Sequence, residues 1–244
     1  MPEKRWLVLS IQAPLLAFGG VTIDHVGVTR DFPAMSMITG LFANALGWRR
    51  TQFEDHQKLQ DRLVVAARRD DEASNSLLTD MQNAKLGHAD KGWTTGGAVE
   101  ARGGSGGTYK APHRRKRTFH MDADVRLVLR LEPEKSAPDL DCLATALDRP
   151  KRPLFIGRKP CLPTNRLFGG FVEAPTAYQA LRKLPSATPQ KRLRALWPWK
   201  EGPQEGSDVH RIIDLPDIRN WPSGLHGGVR TVVEGFVCPE SVAS

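Results

Sequence analysis

The stretch Val125-Arg-Leu-Val-Leu-Arg-Leu131 has the clearest periodicity in the chain. Val125, Leu127, Leu129 and Leu131 fall on one face and Arg126 and Arg130 on the other, as in a strand with one buried side. Upstream, Arg62–Arg69 reads as another strand, centred on Leu63–Ala67. Before it, Met35, Ile38, Leu41, Phe42, Ala45 and Leu46 form an apolar stripe that predicts a helix over Ala34–Leu46, with Pro33 near its start and Gly47 to close it. Gly40 inside that helix predicts close packing against a strand. Trp6–Ile11 is almost continuously apolar, as a central strand covered on both faces would be. Downstream, Asp139–Leu147 reads as a short helix ending near Pro150. The order strand, helix, strand, strand, helix predicts an α+β fold: a ferredoxin-like or RNA-recognition-like βαββαβ unit over residues 1–170. A helix at Pro175–Leu184 and strand-like runs at Val209–Leu215 and Val229–Val237 predict a smaller β-rich C-terminal domain over residues 171–244. Residues 70–118 are too long and glycine-rich for an ordinary connection, so they are expected to be functional or disordered.

The βαββα run leads into Leu154–Phe168, which reads Leu-Phe-Ile-Gly-Arg-Lys-Pro-Cys-Leu-Pro-Thr-Asn-Arg-Leu-Phe. Gly157 permits a turn that other residues resist. Arg158 and Lys159 follow, Pro160 and Pro163 stiffen the path, and apolar residues anchor both ends. Such a loop suits a phosphate backbone. It reads equally well as a surface turn with two solvated charges.

The 244 residues carry 35 Lys and Arg against 27 Asp and Glu, for a net charge of +8. Eighteen of the 35 lie in three windows that contain no acid, residues 101–120, 149–166 and 182–200. The remainder is therefore acidic, and this partition points to a polyanion track rather than general solubilising charge. Cys142, Cys161 and Cys238 are too dispersed for a zinc site and read as reduced thiols. No apolar run is long enough to span a membrane, and Gln12 and Pro14 break the resemblance of the N-terminus to a signal peptide. The expected location is cytoplasmic, with no cofactor and no metal.

Thr108–His120 is the sharpest candidate for chemistry. Tyr109 and His113 offer stacking surfaces among Arg102, Lys110, Arg114, Arg115, Lys116 and Arg117, the combination that single-stranded RNA binding uses. A disordered basic loop is the plainer reading. Tyr109, Lys110 and His113 could alternatively supply the base, acid and cation of a metal-independent ribonuclease. No GxxxxGK[ST], GxSxG or HExxH motif is present. Asp122 and Asp124 could bind a metal but fit a turn better. Trp197-Pro-Trp199 could stack on a partner or pack in a core.

Two blocks together resemble the CasD family of type I-E CRISPR-associated Cascade subunits. The first is Gln-Ala-Pro-Leu-Leu-Ala-Phe-Gly (Gln12–Gly19), with Phe32-Pro33 and a helix running to Ala-Leu-Gly-Trp-Arg-Arg (Ala45–Arg50). The second is Phe-Ile-Gly-Arg-Lys-Pro-Cys-Leu-Pro-Thr (Phe155–Thr164). The resemblance implies a RAMP-type, RNA-recognition-like domain with a thumb insertion at about residues 78–118. It implies a non-catalytic subunit holding the five-prime handle of the CRISPR RNA. It also implies contacts with the backbone and large subunits, and with target DNA through the assembled complex. By position it places Phe18, Gly19, Arg30 and Ser36, and Gly157, Arg158, Lys159 and Cys161, near the RNA. Relatives of another subtype cleave precursor RNA with a Tyr, Lys and His set.

Overall fold

The computed structural model describes residues 2–71, 77–85, 87, 90–93, 98–100, 112–187 and 191–240. In chain order these form β1 (Lys4–Gln12), β2 (Leu15–Leu16), β3 (Thr22–Ile23), β4 (Val26–Gly27), α1 (Met35–Leu46), α2 (Phe53–Arg62), β5 (Leu63–Asp71), β6 (Leu77–Ala84), β7 (Gly92–Trp93), β8 (Val99–Glu100), β9 (His113–Met121), β10 (Asp124–Leu131), α3 (Leu140–Asp148), β11 (Phe168–Ala174), α4 (Ala177–Lys183), β12 (Leu193–Pro198), β13 (Val209–Arg219) and β14 (His226–Val237). The fold is α+β and its sheets are mostly antiparallel.

The main sheet has seven strands in the order β11-β1-β10-β5-β12-β14-β13. Leu7, Leu9 and Ile11 of β1 stand opposite Leu129, Leu127 and Val125 of β10. With Val65 and Ala67 of β5 they meet Ile38, Leu41 and Phe42 of α1 and Leu143 and Leu147 of α3 in one core. Trp6, Val8, Ala66 and Val128 point the other way, into a second core with Ala177, Ala180 and Leu181 of α4 and with Trp197. A strand buried on both faces has no polar alternation, which is why Trp6–Ile11 reads as a continuous apolar run.

The predicted helices form where their apolar stripes put them. Gly47 closes α1 in the left-handed region at φ 80°, and the Trp48 amide returns to the Ala43 carbonyl at 2.9 Å, a Schellman-type ending. Asp139 caps α3 by accepting from the Cys142 amide at 2.8 Å. The sequence gives little sign of α2, because its buried side includes His56, Gln60 and Arg62, with Leu59 the one aliphatic residue among them. Gly40 does not approach a strand. The nearest neighbour to a Cβ built there is the Trp221 ring at 3.9 Å, an ordinary contact with the β13–β14 connection.

The third basic window becomes β12, joined to β5 at Ala195↔Arg68 and Leu196↔Ala67. Strands β12, β14 and β13 therefore continue the same sheet, and the division expected at residue 170 falls inside β11. Trp197 is completely buried and its indole donates to the Pro203 carbonyl at 3.1 Å, so it packs rather than presenting a stacking surface. A second sheet runs β2-β9-β4-β3, with β6 also paired to β9.

Candidate nucleic-acid interface

The two sequence blocks 12–19 and 155–164 are in direct contact. The Ala17 amide donates to the Ile156 carbonyl at 3.3 Å, and the Thr164 amide to the Gln12 carbonyl at 2.9 Å. Within the loop, Ile156 N–H bonds to the Cys161 carbonyl at 2.8 Å and Cys161 N–H to the Arg158 carbonyl at 2.9 Å. Gly157 sits at φ +79°, and a Cβ there would lie 1.7 Å from the Ala17 carbonyl oxygen. Only glycine fits such a backbone-to-backbone approach.

Arg158 is not the solvated charge of a plain surface turn. Its guanidinium donates to the Thr118 carbonyl of β9 at 2.8 Å, and to the carbonyls of Gly27 at 3.2 Å and Val28 at 3.3 Å. It also lies over the Phe119 ring, 4.7 Å from the centroid. Burial, then the charge of Arg117, depresses its pKa. Arg158 is thus a strut joining the loop to the second sheet. Lys159 beside it is exposed and forms no ion pair among the described residues. Cys161 is fully buried, and burial pushes its thiol up; it shapes the loop from beneath instead of touching a ligand.

Phe18 is likewise fully buried, with its ring 5.1 Å from that of His120, so its place is in the core beneath the surface. His120 meets the Arg30 carbonyl at 2.8 Å. Arg30 itself donates to the Pro216 carbonyl at 2.6 Å. Gly19, at φ +84°, packs so closely that a Cβ would sit 3.1 Å from that of Ala34.

His113, Arg114, Arg115, Lys116 and Arg117 all lie on β9, in register with β6 from Leu77↔His120 to Ala84↔His113. Arg114 and Lys116 are exposed on one face of the strand. Arg117, on the other, donates to the His25 carbonyl at 3.1 Å, and the Arg115 guanidinium donates to the Arg114 carbonyl at 3.0 Å. Arg102, Tyr109 and Lys110 lie outside the described residues, so the ribonuclease set has His113 alone within them.

Gly19, Ser36 and Gly157 converge on one groove of about 560 Å³, lined also by Trp48, Arg50, His56, Arg152, Arg219 and Trp221, with no Asp or Glu among its lining residues. Arg152 donates to the carbonyls of Trp48 at 2.8 Å and Gly47 at 3.0 Å. Arg219 lies 5.1 Å from the Trp221 ring, and burial followed by the charge of Arg50 lowers its pKa. Trp221 packs 4.6 Å from His56, and His56 lies 5.6 Å from Trp48. Sequence reasoning missed Arg219 and Trp221, which are far from either block; the available signal was Arg219-Asn-Trp221, a cation and a ring in one turn. It also missed Asp217, whose carboxylate accepts from the Met35 amide at 3.0 Å and supplies the N-terminal cap that Ala34 cannot.

The acid-free windows do not stay acid-free in space. Arg182 reaches Glu240, Lys183 reaches Glu3, Arg192 reaches Asp208, and Arg194 reaches Asp31 and Glu234. The 182–200 segment is therefore largely neutralised, and the less compensated charge lies on β9 and around the groove. Asp122 occupies a turn at φ 47°, and Asp124 pairs with Arg126 at 3.1 Å. Among the described residues no group of three His, Cys, Asp or Glu is placed to hold a metal, and no helix is long and apolar enough to cross a membrane.

A family model described as CRISPR-associated protein (Cas_Cas5) matches residues 6–233. The chain is 27% identical over 179 residues to the CRISPR system Cascade subunit CasD of Escherichia coli (strain K12), covering 73% of this chain and 76% of that one. Among solved structures, it superposes with a TM-score of 0.61 and 17% identity on a chain of a CRISPR RNA-guided surveillance complex, covering 95% of this chain and 90% of that one. A structure described as a Cas protein matches with a TM-score of 0.60 and 23% identity, covering 97% and 98%. At these identities the structural likeness establishes a shared fold.

Proposed function

We propose that this protein, which belongs to the CRISPR-associated (Cas_Cas5) family, is a non-catalytic RNA-holding subunit of a CRISPR surveillance complex. Its RNA is the CRISPR RNA of a type I-E Cascade, gripped at the five-prime handle. The backbone and large subunits are its protein partners, and it meets target DNA only within the assembled complex. The strands β11-β1-β10-β5, with α1 and α3 packed against one face, support a ferredoxin-like unit that runs to the end of β11 at Ala174, a few residues past the expected boundary at residue 170. Strands β12, β14 and β13 then extend its sheet, and β6 and β9 form the described part of a thumb.

The observation that carries this reading is the union of the two sequence blocks. The Gly157 turn is seated on the Ala17 carbonyl, and Gly19, Ser36 and Gly157 then open onto a groove whose charged lining residues are all arginines. Phosphates need cations held in place, and base readout follows from the surrounding rings and edges. The test is co-purification from the native host followed by sequencing of bound RNA. Repeat-derived ends protected at the five-prime side are expected. Recovery of no RNA, or of RNA unrelated to repeats, overturns the proposal. Incubation of the pure protein with labelled repeat RNA in EDTA should give no discrete cleavage; cleavage lost on His113→Ala would establish a ribonuclease instead.

A further inference from the structure

We propose that the groove between α1, α2 and the β13–β14 connection is a single-nucleotide subsite, in which Arg50 and Arg219 hold one phosphate and the half-buried indoles of Trp48 and Trp221 receive its base. The inference rests on the RNA-holding role and adds a location to it.

The charges supply the first argument. Arg219 is half-buried, its Nε is sequestered without a hydrogen-bond partner among the described residues, and Arg50 lines the same groove, its charge adding to burial in lowering the Arg219 pKa. Arg50 is exposed and forms no ion pair among the described residues. Arg152 adds a third guanidinium at the rim, fixed there by the Gly47 and Trp48 carbonyls. Three arginines line one groove with no Asp or Glu among its lining residues, an unbalanced set that an anion placed among them would offset.

The rings supply the second. Trp48 and Trp221 are half-buried and stand 5.6 and 4.6 Å from His56, which is buried, anchored through Nδ1 to the Gln52 carbonyl at 2.6 Å, and fixes the two indoles from behind. An inorganic anion or an acidic peptide would satisfy the arginines and leave the indoles unused. A nucleotide uses both, because bases stack on aromatic rings and on guanidinium planes. About 560 Å³ lies within the range of small-ligand sites.

The experiment uses the full chain and an octauridylate carrying one 5-iodouridine. Irradiation followed by peptide mass spectrometry locates the adduct, and anisotropy of a fluorescein-labelled copy gives affinity. Adducts on Trp48 or Trp221 are expected. Arg50→Gln and Arg219→Gln should each weaken binding about tenfold and lower the salt slope by about 0.7, the value for one phosphate contact on a single strand. Should Arg219→Gln fail to fold, the exposed Arg50→Gln carries the test alone. Adducts confined to β9, with Arg50→Gln binding as the parent does, would overturn the subsite and leave the RNA-holding role standing. Competition by a poly-glutamate peptide with no adduct in the groove would overturn it in favour of a protein partner. No affinity for any RNA would remove the RNA-holding role itself, and the subsite with it.

Discussion

Arg158 and Lys159 are neighbours of like charge, yet the structure gives them opposite kinds of work, and two alanine substitutions separate them. Arg158→Ala removes a charged hydrogen bond of good length, to Thr118 at 2.8 Å, two weaker ones at 3.2 and 3.3 Å, and the contact with Phe119. A hydrogen bond from a charged group contributes about 1.5–3 kcal/mol when buried, and a cation–π contact about 0.5–1 kcal/mol at an exposed site. Arg158 is only half-buried, so we discount the sum for solvent screening and expect a loss of about 2–3 kcal/mol. With a urea m-value of about 2–3 kcal/mol/M, that lowers the unfolding midpoint by about 1 M. Arg158→Lys should recover only part, because an ammonium cannot reproduce the planar fork that bridges Thr118 and Gly27. Lys159→Ala should leave the midpoint within about 0.5 kcal/mol, while reducing the slope of log affinity against log salt by about 0.7 for a single strand. Hydrogen exchange in β9 should accelerate in the first variant and not in the second. Equal stability of Arg158→Ala and the parent, or equal destabilisation by both alanines, would refute the division of roles.

Three further outcomes follow from the same geometry. Gly157→Ala should cost at least about 3 kcal/mol in urea unfolding, since it adds positive-φ strain to a collision with the Ala17 carbonyl; a parent-like midpoint would show that the turn is not seated as described. Asp217→Ala leaves Arg230, held at 2.9 Å by both carboxylate oxygens, without its partner in a largely buried site, and should cost about 3–5 kcal/mol. Asp217→Asn should cost less, because the amide oxygen still accepts from the α1 amide. Tyr178, bonded to Asp208 at 2.8 Å, has its phenol pushed up to about 12, first by burial and then by that bond. A folded value above the unfolded one of about 10 means that the stabilisation is complete below about pH 10 and is lost as pH rises towards 12. The parent's urea midpoint should therefore fall more steeply than that of Tyr178→Phe between pH 10 and 11.5, and parallel curves would contradict this.

Local pattern carried the elements whose apolar residues repeat at one period. Val125–Leu131 and the stripe from Met35 to Leu46 lie where their spacing puts them, because each buries a regular face. Helix α2 was hidden since its inner side is His56, Leu59, Gln60 and Arg62, and Arg62 spends its guanidinium on the carbonyls of Pro133, Ser136, Ala137 and Pro138. Strand β12 was hidden by the charges read as a basic track, whose acidic partners come from residues 3, 31, 208, 234 and 240. The glycine of the Leu154–Phe168 loop was legible as a turn, but not its seat against Ala17, which is a long-range backbone contact. The same limit applies to the groove: Arg50 and Trp48 lie in a recognisable block, whereas Arg219 and Trp221 arrive from the far end of the sheet. Residue type marked the candidates, and topology chose among them.

The cap on α1 also has a temporal side. Met35 and the Asp217 carboxylate that accepts its amide are 182 residues apart, which at ordinary elongation rates is about 10–40 s of synthesis. Throughout that interval the nascent helix lacks its acceptor and the cleft lacks Trp221. A polypeptide released before β13 is complete cannot assemble that cleft.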